Sequence, residues 1–223
     1  MIPRELLATA NVPGGQALRL VRRGGDFMIL LDRNELMNSR MSGSEEALAT
    51  MTCARLGGRI APHLLVGGYG MGFTLRAALA SLGAAARVTV AEIVPEIVDW
   101  ARGPMAAMTG ACLDDPRTDL ALCDVADAIA AAPARYDAIL LDVDNGPDGL
   151  SRPANDRLYS TRGLAAAKAA LKPGGVLAIW SAGADAAFTR RLGDAGFQVE
   201  ECVIRARQNG KGPRHVIWFA TRR

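Results

Sequence analysis

The sequence is poor in the features that mark secreted, membrane-bound and metal-dependent proteins. Only four cysteines occur in 223 residues, at positions 53, 112, 123 and 202, and no two of them form a C-x-x-C pair. This wide spacing argues against a disulfide framework and against a structural zinc site. The two histidines, His63 and His215, have no cysteine, histidine or acid at metal-ligand spacing, so no metal site is expected.

Long apolar runs and a dominant charge are also lacking. No run approaches the roughly 20 apolar residues that cross a bilayer, and the first residues do not read as a signal peptide. The 26 basic and 23 acidic residues leave a net charge of +3, and the arginines are scattered. These features favour a cytoplasmic protein that binds neither nucleic acid nor membrane.

Hydrophobic residues, in contrast, make up half of the chain, which suits an α/β domain with a sizeable core. Short apolar runs alternate with Ala- and Leu-rich runs of helical periodicity, and a hairpin follows the last repeat. This order predicts a mostly parallel, seven-stranded sheet with helices on both faces and an antiparallel C-terminal hairpin. The predicted strands cover residues 64–66, 87–92, 118–123, 136–141, 176–180, 197–205 and 215–220.

Residues 1–40 are expected to form a short N-terminal β-hairpin segment, and residues 41–223 the main domain. The hairpin is predicted from Ala17–Arg23 and Phe27–Leu31, with residues 1–16 irregular. A helix should follow, with Ser42 as its cap and Glu45 as the capping-box partner. Because a lone hairpin is unstable, it should pack on the main domain or pair with a second subunit, which would make a homodimer.

A glycine-rich turn joins the first main-domain strand to its helix. Glycines at positions 68, 70 and 72 give the pattern G-x-G-x-G. Glycine permits backbone angles that side chains forbid and lets a ligand approach the main chain, while the first helix amides point at that ligand. The turn therefore predicts a nucleotide-type ligand, although a turn that needs glycine only for packing would look the same.

Three successive strands after this turn end in carboxylates: Glu92, Asp124 and Asp142. The carboxyl ends of parallel strands meet at one edge of a sheet, where ligands bind, so these acids should share a cleft. Glu92 lies twenty-four residues after Gly68 and is predicted to accept the hydroxyls of a ribose. Asp124 would accept the amino group of an adenine, and Asp142 would lie nearest the reacting end.

The run from Leu64 to Asp142 resembles the spermidine synthase-like transferases, whose relatives include the plant putrescine N-methyltransferases. The matching segments are Gly68–Gly72 with Leu75-Arg76, Val90–Val98, Asp115–Arg117, Cys123-Asp124, Tyr136–Asp142, Leu158-Tyr159, Leu171–Gly175 and, upstream, Leu30–Asp32 and Ser44–Ala47. This resemblance implies a Rossmann-like S-adenosylmethionine-dependent methyltransferase fold, and it implies a set of site residues.

The implied residues fall into three groups. Those expected to bind the cofactor are Gly68, Tyr69, Gly70, Met71, Gly72, Glu92, Ile93, Cys123, Asp124 and Asp142. Asp142 and Tyr159 are the expected catalytic residues. Asp144, Asn145 and Tyr159 are expected to bind the substrate.

Two departures from the family pattern bear on the chemistry. Family aminopropyltransferases carry an aspartate at the position of Met71, where it pairs with the amine of decarboxylated S-adenosylmethionine. An aspartate would repel the carboxylate of ordinary S-adenosylmethionine by about 1–4 kcal/mol, and a methionine would not. The second aspartate of the family's D-x-x-D-P pattern is Asn145 here, which cannot balance a cationic amine.

These departures favour an S-adenosylmethionine-dependent methyltransferase that acts on a small amine or another small-molecule nucleophile. An aminopropyltransferase that uses decarboxylated S-adenosylmethionine is the alternative. A second alternative is a non-catalytic protein that only binds an adenosyl ligand.

Overall fold

The computed structural model describes residues 2–143, 146, 155–207 and 209–223. These residues form two sheets, one of four strands near the N-terminus and one of seven strands. None of the described helices is long and apolar enough to cross a bilayer.

The N-terminal sheet is antiparallel and its strands follow one another in chain order. They are β1 (Glu5–Asn11), β2 (Ala17–Arg23), β3 (Asp26–Leu31) and β4 (Asn34–Asn38). The sequence predicted only the central pair, so the irregular segment expected at residues 1–16 is wrong. The outer strands contain alanine, leucine, asparagine and glutamate, which have little intrinsic strand preference, and pairing with β2 and β3 overrides that preference.

The larger sheet has the strand order β10-β11-β9-β8-β5-β6-β7. Strands β5 to β9 are parallel, and β11 and β10 add an antiparallel edge. The strands are β5 (His63–Gly67), β6 (Arg87–Glu92), β7 (Thr118–Leu122), β8 (Tyr136–Leu141), β9 (Leu171–Ser181), β10 (Phe197–Arg205) and β11 (Arg214–Arg222). The predicted Rossmann-like fold, with its mostly parallel sheet and C-terminal hairpin, is confirmed.

Helices cover both faces of this sheet, and a separate hydrophobic core lies on each side. The helices are α1 (Gly43–Arg55), α2 (Phe73–Ser81), α3 (Pro95–Arg102), α4 (Ala106–Thr109), α5 (Val125–Ala130), α6 (Asp156–Tyr159), α7 (Thr161–Ala170) and α8 (Ala186–Asp194). Leu48, Leu75 and Ile97 bring α1, α2 and α3 into one core. Side chains of α5, α7 and α8 fill the other core, so the strands between them are buried on both faces.

A buried aspartate ties three parallel strands together at the edge opposite their carboxyl ends. The Asp137 side chain is 3% exposed and pairs with Arg59 and with Lys172, whose Nζ lies 2.7 Å from Oδ2. The same oxygen accepts the His63 N–H at 2.8 Å. Burial would raise the pKa of Asp137, but these donors lower it below its usual value. Asp137 is therefore held as an anion that fixes the starts of β5, β8 and β9.

Candidate functional site

The turn between β5 and α2 approaches the end of β8 very closely. Gly68 has φ +83°, and a Cβ at this position would lie 2.6 Å from the backbone oxygen of Asp142. The Gly68 N–H donates to the carbonyl of Ala91 at 2.9 Å, and the Asp142 N–H donates to the carbonyl of Gly67 at 3.0 Å. A side chain at Gly68 would therefore be strained and would also push β8 away. The turn and the Asp142 backbone form one rigid unit.

Glu92 ends β6 directly beside this turn. Its side chain is buried, and its carboxylate oxygens accept backbone N–H groups, among them those of Tyr69 at 2.9 Å and Val94 at 2.8 Å. Burial raises the pKa of Glu92, while these hydrogen bonds oppose that rise. Because a carboxylate oxygen can accept more than one hydrogen bond, Glu92 can hold the glycine turn and still accept hydroxyl groups of a ligand.

Asp124 follows β7 and takes part in two structural contacts. Its Oδ1 accepts the Ala126 N–H at 2.9 Å, which caps α5, and its Oδ2 lies 2.8 Å from the guanidinium of Arg157. These contacts fix the direction of the carboxylate at the edge of the sheet.

Asp142 follows β8 and is partly buried. Its Oδ2 accepts the hydroxyl hydrogen of Thr74, the second residue of α2, at 2.6 Å. Burial raises the pKa of Asp142 to about 6, against the opposing effect of the Thr74 hydrogen bond. A carboxylate with this pKa can take up a proton near neutral pH, which is what a general base requires.

The three acids and two of the glycines line one cleft between the two sheets. The large sheet and its loops contribute Gly68, Gly70, Ala91, Glu92, Ile93, Val94, Ile97, Cys123, Asp124, Val125, Asp142, Val143 and Asn155. The N-terminal sheet and the turn after β1 contribute Val12, Leu18, Leu31, Leu36 and Met37.

The cleft suits an adenosyl sulfonium compound. Apolar side chains such as Ile93 and Val125 can pack against a base, and the buried Glu92 carboxylate can accept ribose hydroxyls. The carboxylates at the strand ends also supply negative charge for a cationic sulfur.

Not all predicted cofactor residues reach this cleft. Tyr69, Met71 and Gly72 do not line it, and the Tyr69 and Met71 side chains lie in the hydrophobic core, 4% and 1% exposed. Because the Met71 side chain lies in the hydrophobic core, its identity does not indicate whether the ligand carries a carboxylate. The preference for S-adenosylmethionine that the sequence suggested assumed contact between Met71 and the ligand, and the burial of this side chain does not support such contact.

Of the three predicted substrate residues, only Tyr159 lies in the part of the chain that the structure describes. Tyr159 is buried and its hydroxyl donates to the carbonyl of Val143 at 3.3 Å, so it supports the segment that follows Asp142. Asp144 and Asn145 lie outside the described residues.

Sequence reasoning missed the role of Glu45. The Ser42 side chain makes no capping hydrogen bond, so the predicted capping box is wrong; Ser44 Oγ instead lies 2.7 Å from Glu45 Oε2. Burial first, and then the negative charge of Asp142, raise the pKa of Glu45 to about 7. The helical pattern of α1 does not show that this acid is close enough to Asp142 for the two charges to interact, since that depends on how α1 packs against α2 and the sheet.

The apolar wall from the N-terminal sheet was also missed. Met37 reaches the glycine turn, because a Cβ at Gly70 would lie 2.8 Å from its Cε. Apolar residues alternate with basic ones in β2, which is typical of a strand with one buried face, but this pattern does not indicate what that face covers.

Comparisons with known proteins agree with this fold. The family model described as the spermine/spermidine synthase domain matches residues 50–185. Curated proteins named polyamine aminopropyltransferase, from Mycobacterium tuberculosis and Mycobacterium bovis, are 30% identical over 167 residues. The matched region covers 74% of this chain and only 30% of those relatives.

Solved structures show the same fold at low sequence identity. The spermidine synthase from Thermotoga maritima has a TM-score of 0.77 and 17% identity, with 98% of this chain and 73% of that chain covered. A spermidine synthase in complex with the transition state analogue AdoDATO gives 0.76 and 17%, covering 98% and 72%. A probable spermidine synthase from Corynebacterium glutamicum gives 0.65 and 16%, covering 97% and 80%.

These findings correct the functional expectation drawn from the sequence. The family model and the curated relatives are named for spermine and spermidine synthesis and for polyamine aminopropyl transfer. The expectation of a methyltransferase that uses S-adenosylmethionine is therefore wrong, whereas the resemblance to the spermidine synthase-like family is confirmed.

Proposed function

The chain belongs to the spermine/spermidine synthase domain family, and from this premise we propose that it transfers the aminopropyl group of decarboxylated S-adenosylmethionine to a small amine of the polyamine class. The name of the curated relatives supports this activity. The chain spans about a third of their length, so the proposal concerns the matched region.

The chemistry is a single displacement. Decarboxylated S-adenosylmethionine supplies a carbon activated by a sulfonium and a thioether as leaving group. A bond forms between the acceptor nitrogen and this carbon while the carbon–sulfur bond breaks, and its electron pair stays on sulfur. The nitrogen loses one proton, which a protein carboxylate must accept. The protein's contribution is to align the two reactants and to remove this proton.

We assign the donor's adenosine to the side of the cleft formed by the glycine turn and the ends of β6 and β7. Gly68 and Gly70 leave the main chain open to it, and Glu92 accepts the ribose hydroxyls. Ile93 and Cys123 line the cleft beside the base, and Asp124 accepts its amino group.

The proposal depends mainly on the position of Asp142. It lines the cleft, its backbone is joined to β5, and the Thr74 hydroxyl orients its carboxylate. With a pKa of about 6, it is mostly ionised at pH 7 and can still accept a proton from an amine. Tyr159 acts indirectly, through its hydrogen bond to the Val143 carbonyl.

The test is turnover of decarboxylated S-adenosylmethionine with a linear diamine, followed by release of the thioether nucleoside. We expect Asp142→Asn to lower kcat by about 100-fold or more, because the amide cannot take the proton. Asp127→Asn is the matched control, since this acid on α5 is 74% exposed and does not line the cleft. Wild-type kcat in Asp142→Asn would refute the role of Asp142. Binding of the donor without turnover in the wild-type chain would refute the proposed activity.

A further inference from the structure

A salt bridge from α6 holds one of the three carboxylates that line the cleft. Arg157 Nη2 lies 2.8 Å from Asp124 Oδ2, and the Asp124 side chain is 11% exposed. The same nitrogen lies 3.9 Å from Oδ1 of Asp127, whose side chain is 74% exposed. Because the pair with Asp124 is shorter and better shielded from water, it is the stronger of the two.

The sequence around α6 explains how Arg157 reaches Asp124. Leu158 and Tyr159 are buried in the same hydrophobic core as α7. The Ser160 hydroxyl donates to the carbonyl of Arg157 at 2.7 Å and accepts the Gly163 N–H at 3.1 Å, which joins α6 to the first turn of α7. A Cβ at Gly163 would overlap the Arg157 carbonyl oxygen, so glycine permits this close approach. The Arg157 side chain is therefore held beside α5.

Both carboxylate oxygens of Asp124 contact a protein donor. Oδ1 accepts the Ala126 N–H at 2.9 Å, and Oδ2 faces the Arg157 guanidinium. The torsion about the Cβ–Cγ bond of an aspartate is broad, so the Ala126 N–H alone would not give Oδ2 a fixed direction. Two donors on two oxygens do fix the carboxylate plane. Since a carboxylate oxygen can accept more than one hydrogen bond, this geometry still allows an acceptor role toward a ligand.

We propose that Arg157 is a positioning residue for the donor, because it makes Asp124 a fixed acceptor for the amino group of the donor's base. This inference rests on the proposed function, in which Asp124 accepts the amino group of an adenine. Arg157 acts through Asp124 and not on the reacting atoms. It should therefore change the affinity for the nucleoside and not the chemical step.

The neighbouring acid explains why the positive charge is needed. The carboxylates of Asp124 and Asp127 approach the same nitrogen of Arg157, so they are close enough to repel each other. The guanidinium offsets this repulsion. Its removal leaves the repulsion unopposed and frees Oδ2 to turn, which weakens the hydrogen bond that an amino group would donate to it.

The test measures binding and needs no turnover. The probes are methylthioadenosine, which is the thioether nucleoside that the proposed reaction releases, and the corresponding purine nucleoside without the amino group. Titration calorimetry gives a Kd for each, and the ratio of the two Kd values isolates the contact of the amino group. A site that forms a hydrogen bond to this group discriminates against the nucleoside that lacks it.

We expect Arg157→Ala to raise the Kd of methylthioadenosine by about tenfold and that of the purine nucleoside by less than about twofold. Arg157→Lys keeps the charge and should recover part of the affinity. Arg162→Ala is the matched control, because Arg162 is an exposed arginine in the first turn of the adjoining helix α7. An equal loss for the two nucleosides would overturn the inference, since it would indicate a purely structural role for Arg157.

A double-mutant cycle tests whether Arg157 acts through Asp124. Asp124→Asn keeps an oxygen for the Ala126 N–H, and so the cap of α5, but removes the charge that Arg157 contacts. In this background Arg157→Ala should change the Kd of methylthioadenosine by less than about twofold. A tenfold change in both backgrounds would overturn the inference.

The outcomes separate this inference from the proposed function. A chain in which Arg157 sets the ratio of the two Kd values, but which transfers no aminopropyl group, would refute the proposed function and leave the role of Arg157 intact. Wild-type Kd values in Arg157→Ala, together with intact aminopropyl transfer, would overturn the role of Arg157 alone.

Discussion

At the scale of single residues, Met71 shows how a substitution in a motif can mislead. Its position in the glycine turn suggested contact with a ligand, but its side chain is 1% exposed and belongs to the core below α2 and α3. The sequence contains the turn, and only the packing decides which way each side chain of the turn points. A departure from a family motif therefore carries chemical meaning only when the side chain reaches the site.

This interpretation of Met71 predicts a loss of stability and no switch of cofactor. Met71→Asp would bury an unpaired carboxylate, and we expect the free energy of unfolding to fall by about 3 kcal/mol or more. Met71→Leu nearly conserves volume and should cost less than about 1.5 kcal/mol. Urea denaturation measures both. An aspartate variant as stable as the wild type would show that this side chain can reach water or ligand.

The acid pair predicts a pH dependence of stability. The pKa of Glu45 rises from 4.5 to about 7 and that of Asp142 from 3.8 to about 6 on folding, so the folded chain holds these protons more tightly than the unfolded chain. The stability that the raised pKa values contribute is fully present below about pH 4 and is lost as the pH rises to about 7. Glu45→Gln removes one of the charges, so we expect this variant to gain about 1–3 kcal/mol over the wild type between pH 4 and pH 8.

The measurement is urea unfolding of both proteins at several pH values. Glu96→Gln is the control, because Glu96 also lies in the first turn of a helix, α3. It should follow the wild-type pH dependence. A constant stability difference between Glu45→Gln and the wild type would contradict the raised pKa of Glu45.

At the scale of secondary structure, the reliable predictions came from apolar runs that end in a glycine or an acid. β5, β6 and β8 were predicted within one or two residues, since strands buried on both faces read as continuous apolar segments. From these strands followed the meeting of Glu92 and Asp142 in one cleft. β1 and β4 could not be found in this way, because partner strands and not their own composition hold them in place.

The beginning of β9 was missed for a related reason. The predicted strand began at residue 176, after Pro173-Gly174-Gly175, yet the strand begins at Leu171, which pairs with Tyr136 next to an irregularity in the ladder. The orientation of α1 could not be predicted either, because the position of Glu45 relative to Asp142 depends on how the helix packs against the sheet. Contacts between distant segments decide such details, and a single sequence does not contain them.

The Asp137 cluster predicts how firmly β5, β8 and β9 are held together. Asp137→Ala removes the buried anion and with it the acceptor shared by Lys172, Arg59 and the His63 N–H, so we expect a loss of about 1–3 kcal/mol in unfolding free energy. The control is Asp119→Ala, which breaks a solvent-exposed pair with Arg87 and should cost at most about 1 kcal/mol. Thermal or urea unfolding distinguishes them. Equal losses in the two variants would show that the Asp137 cluster does not hold the strands together.

At the scale of the whole molecule, the cleft is built by both sheets. Apolar side chains of the N-terminal sheet form one wall, and the strand ends of the large sheet supply the acids. The division of the chain at residue 40 remains a prediction, as do the roles assigned to Asp144 and Asn145. The fold and the meeting of the acids could be predicted from the sequence. The apolar wall from the N-terminal sheet and the charge interaction between Glu45 and Asp142 could be identified only from the structure.

The most direct test of the central claim compares the two donors in one assay. The protein is incubated with a linear diamine and either decarboxylated or ordinary S-adenosylmethionine, and the amine product is identified by mass spectrometry. We predict that the decarboxylated donor yields a diamine extended by one aminopropyl group and that the ordinary donor yields no methylated amine. A methylated product from S-adenosylmethionine, with no product from the decarboxylated donor, would contradict the account.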